Sequence, residues 1–407
     1  MEVIAVDVAK LDSMVGCFSL EGIIDPDKKG SGVKAVAKPK KVTNDWKGIE
    51  YFLSLGGSKK PKVIMESTGG FHVPLARHLR EKGFDVIVIN PLFSANSNID
   101  LRETKTDKED CIKLGMLYFK GEYNRTMVRS QDNERAVSLA RYSERIQKEA
   151  TAIKNDMRNQ LLLSFPEMER MSDSFGLFGS GMLRLIARFP HASMYVKKNR
   201  KRMVSEMAKA CPQHSKDYEG IVDRLISSAA DSFACIGADD PVCTFIIPSL
   251  ARRLICLKAE IEKTEDALNG LVKESPLYRV LSSFDGVGRG IASHLTAEIG
   301  DMSRFESYKS LVAYAGLSPK KNESGSSVNS NGKITKRGDR HLRHWLFLAV
   351  QSMIQQKGRG KDNDVEAYYR KKRSDGKHHY AAAVACCNKL ARKIFYRYRS
   401  ETQGPKE

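Results

Sequence analysis

The chain has 407 residues, and at roughly 100 to 200 residues per domain this length predicts two or three domains. Its 68 Lys and Arg residues against 49 Asp and Glu residues give a formal net charge of +19, with 41% hydrophobic residues. This balance of charged and hydrophobic residues excludes a disordered protein. The sequence has neither an apolar run of about 18 residues nor a signal peptide, which excludes a membrane partner. We therefore expect a cytoplasmic protein that binds nucleic acid.

Residues 1–125 alternate between strand-like and helix-like segments. The segments EVIAVDVA and MVGCFSL predict a hairpin, and KVIMEST and DVIVINP predict buried strands. Apolar residues at helical spacing predict helices over residues 45–55, 73–81 and 107–118. This region is therefore predicted to be an α/β domain with a mixed sheet, and its chemistry is expected at the strand ends.

Residues 126–276 show the pattern of long amphipathic helices. Apolar residues follow a three-to-four spacing from Leu139 to Leu161 and again from Leu250 to Leu271. Two such helices favour an antiparallel coiled-coil arm or a dimerisation element, and an ordinary helical core is the alternative. The stretch between them, residues 165–248, predicts a mostly helical insertion to which the sequence assigns no function.

Residues 277–407 carry most of the positive charge. Between residues 318 and 400 there are 20 Lys and Arg residues and 6 Asp and Glu residues, a net charge of +14. Apolar residues run through this segment, among them those from Trp345 to Val350 and the pair Ile394 and Phe395. Solvated basic tails lack such residues, so the segment predicts a mainly helical, folded domain that faces nucleic acid.

The eight cysteines are scattered and form no CxxC pair. Neither a zinc site nor a disulfide framework is supported by that spacing. We therefore predict buried thiols.

Four acids mark a candidate metal site. Asp7 and Glu66 each follow a run of strand-type apolar residues, and Asp107 and Asp110 stand three residues apart at the start of a predicted helix. Carboxylates from two strands and one helix turn can converge, and such oxygen ligands suit the Mg²⁺ ions that assist phosphodiester cleavage. The alternative for each acid is structural, as a helix N-terminal acid or a strand-end acid beside a turn.

A glycine-rich turn, FDGVGRGIA, separates two helix-like segments. It places Gly286, Gly288 and Gly290 where backbone N–H groups could approach a phosphate, as in a helix-hairpin-helix. A plain turn between two helices is the alternative interpretation.

The segment ESGSSV predicts an exposed serine on a polar loop. A serine nucleophile that attacks DNA needs access and nearby cations to neutralise charge on the phosphate. A flexible polar loop is the alternative. The cations that follow within twenty residues are Lys333, Lys336, Arg337, Arg340 and Arg343.

Two sets of motifs resemble a known family. The series VDVAK, MESTGGFHVPLARHL, INP and TKTDKEDCIKL is similar to the RuvC-like, ribonuclease-H-fold domain with a DEDD tetrad in transposases of the insertion-sequence 110 family and the related pilin-gene invertases. The segments AGLSPKKNESGSS and GKITKRGDRHLR resemble the C-terminal transposase domain of that family. The resemblance covers residues 1–120 and 277–400, and it departs in the middle of the chain.

The resemblance implies the identity of the catalytic residues. The tetrad would be Asp7, Glu66, Asp107 and Asp110, and the nucleophile would be Ser324. Glu109 is a neighbour without an assigned role, whereas Glu103 and Asp100 fit the spacing but not the motif. Ser326 and Ser327 are chemically similar to Ser324, so that assignment depends on motif position alone.

The resemblance also implies a reaction and partners. It implies a transposase that cuts and rejoins DNA through a covalent phosphoserine, with one or two Mg²⁺ ions, or Mn²⁺, held by the tetrad. A structured bridge RNA would pair with donor and target DNA, and a homodimer or homotetramer would bring one subunit's tetrad to another's serine. The predicted domains are residues 1–125 (catalytic), 126–276 (a helical insertion for dimerisation and nucleic-acid contacts) and 277–407 (transposase domain).

Three alternatives stay open at this point. The first is a RuvC-like nuclease that uses water as its nucleophile. The second is a site-specific invertase that works without RNA. The third is a non-catalytic nucleic-acid-binding protein whose acids are structural.

Overall fold

A computed structural model describes residues 2–22, 32–56, 60–67, 70–89, 106–121, 123, 125–126, 129–170, 176–210, 215–319, 323–324, 327–328, 334–356 and 364–403. The chain divides into two compact units, residues 1–128 and residues 129–407. No helix in these ranges is both long and apolar enough to cross a membrane.

The first unit is built on a sheet that has six strands in the described part of the chain, in the order β3-β2-β1-β4-β5-β6. Strand β1 pairs antiparallel with β2, as the predicted hairpin requires, and β2 pairs antiparallel with β3; β4 is parallel to β1, and β5 is parallel to β4. The strands are β1 (Glu2–Val8), β2 (Asp12–Leu20), β3 (Val33–Thr43), β4 (Lys62–Glu66), β5 (Val86–Ile89) and β6 (Arg125–Thr126). The sequence did not predict β3, because this edge strand is mostly exposed and lacks a buried face.

Helices cover both faces of this sheet, which confirms the mixed α/β prediction. Helices α1 (Trp46–Gly56) and α2 (His72–Glu81) pack on one face through residues such as Phe52 and Leu79. Helix α3 (Asp107–Lys120) covers the other face, where Leu114 and Leu117 pack with Ala5 of β1. All three helices lie within two residues of their predicted bounds.

The middle of the chain forms a helical core around two long helices. Its helices are α4 (Gln131–Ser164), α5 (Glu167–Arg170), α6 (Ser180–Arg188), α7 (Arg200–Ala208), α8 (Ser215–Ala229) and α9 (Ile247–Val272). Helices α4 and α9 run antiparallel, since Ala136 packs with Leu268 and Glu149 pairs with Arg253. The insertion is helical as predicted, and residues such as Leu183 pack it against both long helices. The coiled-coil and dimerisation roles stay predictions.

The basic C-terminal segment is folded, as predicted. Its elements are α10 (Pro276–Ser282), α11 (Arg289–Ile299), α12 (Tyr308–Tyr314), β7 (Glu323–Ser324), β8 (Ser327–Val328), α13 (Arg340–Gln355), α14 (Asp364–Ser374) and α15 (His379–Gln403). Leu346, Leu390 and Phe395 lie in its core at 2% exposure or less. The apolar residues among the cations therefore form a core between packed helices.

A buried network of charged side chains joins α4 to the C-terminal helices. Arg141 donates to both carboxylate oxygens of Glu298, at 3.0 and 3.1 Å, and Glu298 is 0% exposed. Glu144 accepts hydrogen bonds of 2.6 Å from His341 Nδ1 and from the indole N–H of Trp345. These partners lie 157 to 201 residues apart in the chain, which is why sequence patterns did not reveal them.

The prediction of buried thiols is confirmed for most of the described cysteines and wrong for two of them. Cys17, Cys111, Cys243, Cys386 and Cys387 are buried, whereas Cys235 and Cys256 are exposed. Cys211 lies outside the described residues.

Candidate active site

Asp7 and Glu66 lie next to each other at the ends of neighbouring strands. Val6 of β1 is paired with Met65 of β4, so Asp7 and Glu66 are the next residues along two parallel strands that lie about 4.7–4.9 Å apart. Side chains alternate along a strand, and Val6 and Met65 face the α1–α2 side of the sheet. Asp7 and Glu66, both partly buried, therefore face the side that α3 covers.

The first turn of α3 carries the other two predicted acids. Thr106 caps the helix, and its side chain accepts a hydrogen bond from the backbone N–H of Glu109 at 3.4 Å. Asp107 is exposed and Asp110 is partly buried. The macrodipole favours acids at this end, so the helix tolerates them without any ligand.

Cys111 shows how close this turn lies to Asp7. Its thiol donates to the backbone carbonyl of Ala5 on β1 at 3.2 Å. Burial, and next the negative charge of Asp7, raise the pKa of Cys111 to about 12. The start of α3 is therefore held against β1 beside Asp7, with Asp110 one residue away. The sequence did not indicate this positioning role, because a lone cysteine carries no signal of its contacts.

The four predicted acids would supply only oxygen donors to a metal. Carboxylates select hard divalent cations such as Mg²⁺ or Mn²⁺ over softer metals. Within the described ranges no group of three or more His, Cys, Asp or Glu side chains is close enough to hold a metal ion. The donor chemistry of the four acids fits a hard cation. Glu103 and Asp100 lie outside the described residues.

Ser324 lies in a short antiparallel strand pair within the segment that the sequence predicted as a polar loop. Strand β7 pairs antiparallel with β8, and Ser324 lies opposite Ser327. The prediction of a loop overlooked this pairing because two-residue strands leave no periodic pattern. The side chains of both serines, and all of Ser326 and Lys333, lie outside the described residues, so the nucleophile stays a prediction.

The cations after Ser324 differ in what they contact. Lys336, Arg337 and Arg340 are exposed and available to a polyanion. Arg343 is partly buried and donates to the backbone carbonyl of Ala315 at 2.8 Å, just beyond α12. Its guanidinium satisfies a helix C-terminal carbonyl, which is a structural reason for an arginine at that position.

Gly286 also has a structural reason to be glycine. Its φ of +90° lies in the left-handed region, and a Cβ atom there would come within 3.0 Å of the Cα atom of Met353 on α13. The turn between α10 and α11 therefore needs glycine both for its backbone and for close packing.

Gly288, at the N-terminus of α11, borders an acidic cleft of about 460 Å³. Burial tends to raise the pKa of Glu265 in this cleft, but hydrogen bonds, first that from His294, hold the pKa below its usual value. Negative charge opposes phosphate binding, so phosphate contact by Gly286 and Gly288 stays a prediction. The acids that line the cleft are Glu262, Glu265 and Asp266, the last of which pairs with Arg289.

Comparison with known proteins identifies the family. Residues 278–370 match the sequence model described as the "Transposase IS116/IS110/IS902 family", and residues 24–166 match the DEDD transposase model of IS110. The chain belongs to the IS110 family of transposases. The DEDD match contains Glu66, Asp107 and Asp110, and it begins after Asp7; the first match contains Ser324.

Relatives within and beside this family support the assignment. An insertion element IS110 protein of Streptomyces coelicolor is 25% identical over 65% of this chain and 62% of its own length. A pilin gene-inverting protein of Moraxella bovis is 34% identical over 23% of this chain and 33% of its own length. A putative transposase of Sinorhizobium fredii is 25% identical over 89% of this chain and 78% of its own length. The chain thus spans less than two thirds of the length of the first two relatives. The matches to the two family models confirm the predicted family resemblance.

Proposed function

We propose that this protein is the transposase of an insertion sequence, which cuts and rejoins DNA strands. The observation that carries the proposal is the placement of Asp7 and Glu66 side by side on the face of the sheet where Asp107 and Asp110 begin α3. Membership of the IS110 family supports the same activity.

The topology of the first unit supports a RuvC-like, ribonuclease-H-type fold. Three antiparallel strands followed by two parallel ones, with helices on both faces, are typical of that fold. In that fold the catalytic acids lie on the central strands and on a helix that follows them in the chain. The four acids here lie in the same places, on β1, β4 and α3. We therefore assign residues 1–125 to the catalytic domain, 126–276 to a helical insertion and 277–407 to the transposase domain.

The tetrad would hold Mg²⁺, or Mn²⁺ in its place. Asp7 and Glu66 would supply ligands from the sheet, and Asp107 and Asp110 from the helix. A bound divalent cation neutralises charge on the scissile phosphate and orients it. Four carboxylates brought together repel one another, and such a cation compensates that repulsion.

Ser324 would act as the nucleophile. The Ser324 hydroxyl would lose its proton to solvent as its Oγ bonds to phosphorus and the bond from phosphorus to the leaving strand breaks, and the released oxygen would take up a proton from solvent to become a hydroxyl group. The phosphoserine keeps the phosphodiester energy for rejoining to another strand. The exposed Lys336, Arg337 and Arg340 would neutralise the phosphate backbone.

The partners would be donor DNA, target DNA and a bridge RNA that pairs with both. Sequence choice would then reside in base pairing, and the protein would contribute backbone contacts and catalysis. Asp7 and Ser324 belong to different compact units of the chain. A homodimer or homotetramer could therefore combine the tetrad of one subunit with the serine of another.

A covalent-trapping experiment tests the function. The full chain is incubated with Mg²⁺, the element's end DNA and RNA transcribed from its flanks, then denatured, and protein bound to a strand is measured. We expect an adduct that is lost in Ser324→Ala and kept in Ser326→Ala. Nicking without an adduct would instead indicate a nuclease that uses water, and an adduct that forms equally well without RNA would indicate an invertase. No cleavage with any substrate would indicate a binding protein.

A further inference from the structure

A cleft of about 620 Å³ lies beside α12, α14 and α15 in the second unit, and none of the residues predicted from sequence lines it. Four aromatic rings border it, those of Phe284, Tyr308, Tyr368 and Tyr396. Its volume falls within the range of about 300–1,000 Å³ that ligand sites occupy. Tyr396 is 51% exposed, so one large ring is presented to solvent at the cleft.

Cations alternate with these rings. Lys389, Arg392, Lys393 and Arg397 line the cleft, against one acid, Asp364. Lys393 pairs with the Asp364 carboxylate at 2.6 Å, and Lys389 donates to the Asp364 backbone carbonyl at 3.0 Å. Asp364 thus fixes the two lysines and neutralises only one of them, while Arg397 pairs with Glu401 at 3.8 Å. Lys389 and Arg392 leave the cleft with a net positive charge that suits an anionic ligand.

Arg392 is the cation best placed for that ligand. It is exposed and makes no ion pair among the described residues. Its guanidinium lies 5.3 Å from the ring centroid of Tyr308 and 5.7 Å from that of Tyr396, while the two rings are 5.9 Å apart. The rings hold the guanidinium by cation–π contact and leave its N–H groups free to donate to a phosphate.

Asn388 adds a hydrogen-bond acceptor. It lines the cleft, and its amide nitrogen donates to the backbone carbonyl of Leu317 at 3.4 Å, which orients the side chain. Its Oδ1 atom is buried and has no hydrogen-bond partner in the described part of the chain. Buried acceptors are normally satisfied, and every nucleobase can offer an N–H group.

We propose that this cleft binds unpaired nucleotides of single-stranded nucleic acid, with a base stacked on Tyr396 and its phosphate at Arg392. Interleaved aromatic rings and cations are what single strands require, because every base has a face to stack and every linkage has a charge. Paired bases in a duplex have their faces covered, so a duplex gains only the charge contribution. The inference rests on the proposed function in taking nucleic acid as the ligand, and it deepens that function by adding an unpaired segment.

Photocrosslinking and binding test the proposal on the full chain without metal, so that no cleavage is needed. The probes are 15-nucleotide DNA and RNA strands with one 5-iodouracil, which couples to a stacked aromatic ring under long-wavelength light, and the matched duplexes. We expect the crosslink to map to Tyr396 or Tyr308. Tyr396→Leu should weaken single-strand affinity about 5- to 150-fold, since stacking is worth about 1–3 kcal/mol per base, and should leave duplex affinity within about twofold.

Arg145→Gln is the matched control. Arg145 is also an exposed arginine over a tyrosine, 4.9 Å from the Tyr142 centroid, but it lies on α4 outside the cleft. Its loss should change single-strand and duplex affinity equally and modestly, whereas Arg392→Gln should act selectively on single strands.

Several results would overturn the proposal: crosslinks that map elsewhere, unchanged single-strand affinity in both cleft variants, or equal losses for single strand and duplex. A preference between the DNA and RNA probes would support it and identify which strand occupies the cleft. Circular dichroism checks that the variants fold. If Tyr396→Leu does not fold, the affinities of Arg392→Gln decide between the outcomes. A crosslink in the cleft without a Ser324 adduct would support the cleft proposal and refute the proposed function. A Ser324 adduct without a crosslink in the cleft would refute only the cleft proposal.

Discussion

Replacement of Arg141 by Met should strongly destabilise the second unit. Glu298 is 0% exposed and accepts two hydrogen bonds from Arg141, at 3.0 and 3.1 Å. Burial disfavours the charge of Arg141, but hydrogen bonding and Coulomb attraction to Glu298 outweigh it and raise the pKa of Arg141. Arg141→Met keeps most of the volume and leaves the carboxylate buried, with Arg129 at 3.5 Å as its remaining cation.

Breaking a buried ion pair by removing one partner costs about 3–5 kcal/mol. Arg129 at 3.5 Å and the 42% exposure of the Arg141 side chain both offset part of this cost, so we expect about 2 kcal/mol from Arg141→Met. Adding Glu298→Gln removes the stranded charge, and the double variant should regain at least about 1 kcal/mol over Arg141→Met.

Urea denaturation, monitored by tryptophan fluorescence, measures the free energy of unfolding of these variants. The chain has two tryptophans, Trp46 in the first unit and Trp345 in the second, where Trp345 is 6% exposed. In a Trp46→Phe background, emission reports only the second unit, which avoids mixing two transitions. A loss below about 1 kcal/mol, or a double variant whose losses simply add, would refute the claim that Arg141 compensates a buried charge.

The remaining predictions concern the acids, a turn, two thiols and salt. Asp7→Ala should abolish strand cleavage and leave nucleic-acid affinity equal or higher, since one carboxylate less repels phosphate; weaker binding in a mobility-shift assay would indicate a structural role. Gly286→Ala should cost more than about 1 kcal/mol in urea denaturation, because alanine is strained at a φ of +90° and its Cβ would crowd Met353, whereas Gly288→Ala, with a φ of −73°, should cost less. Burial is the main cause that raises the pKa of Cys111 to about 12 and of Cys17 to about 11. The stability that these neutral thiols contribute is therefore complete below their ordinary pKa of 9.0 and is lost as the pH rises through 11 to 12, and circular dichroism should show a shallower alkaline loss in Cys111→Ala. The affinity for nucleic acid should fall steeply with salt given the +14 segment, and a flat response would contradict a basic binding surface.

Local patterns in the sequence predicted most elements of the first unit and the two long helices of the second. Short apolar runs predicted β1, β2, β4 and β5, because helices cover both faces of the sheet and most residues of these strands are buried. Apolar residues at helical spacing predicted α1 to α4 and α9, because burial of one helix face imposes that period. The motifs around Glu66, Asp107 and Ser324 also sufficed to recognise the family, which the matches to family models confirm. Local pattern failed for the exposed strand β3 and for the hairpin at Ser324, which are too exposed or too short to be periodic.

Only the tertiary structure decided which distant side chains meet. The register of β1 and β4 sets Asp7 beside Glu66, and the thiol of Cys111 holds α3 against them. Packing likewise brings Arg343 within hydrogen-bonding distance of the Ala315 carbonyl and brings Tyr308 and Arg392 together in one cleft. The physical reason is that hydrogen bonds, ion pairs and ring contacts depend on distances of a few ångströms between residues far apart in the chain, and no residue spacing along the chain encodes them.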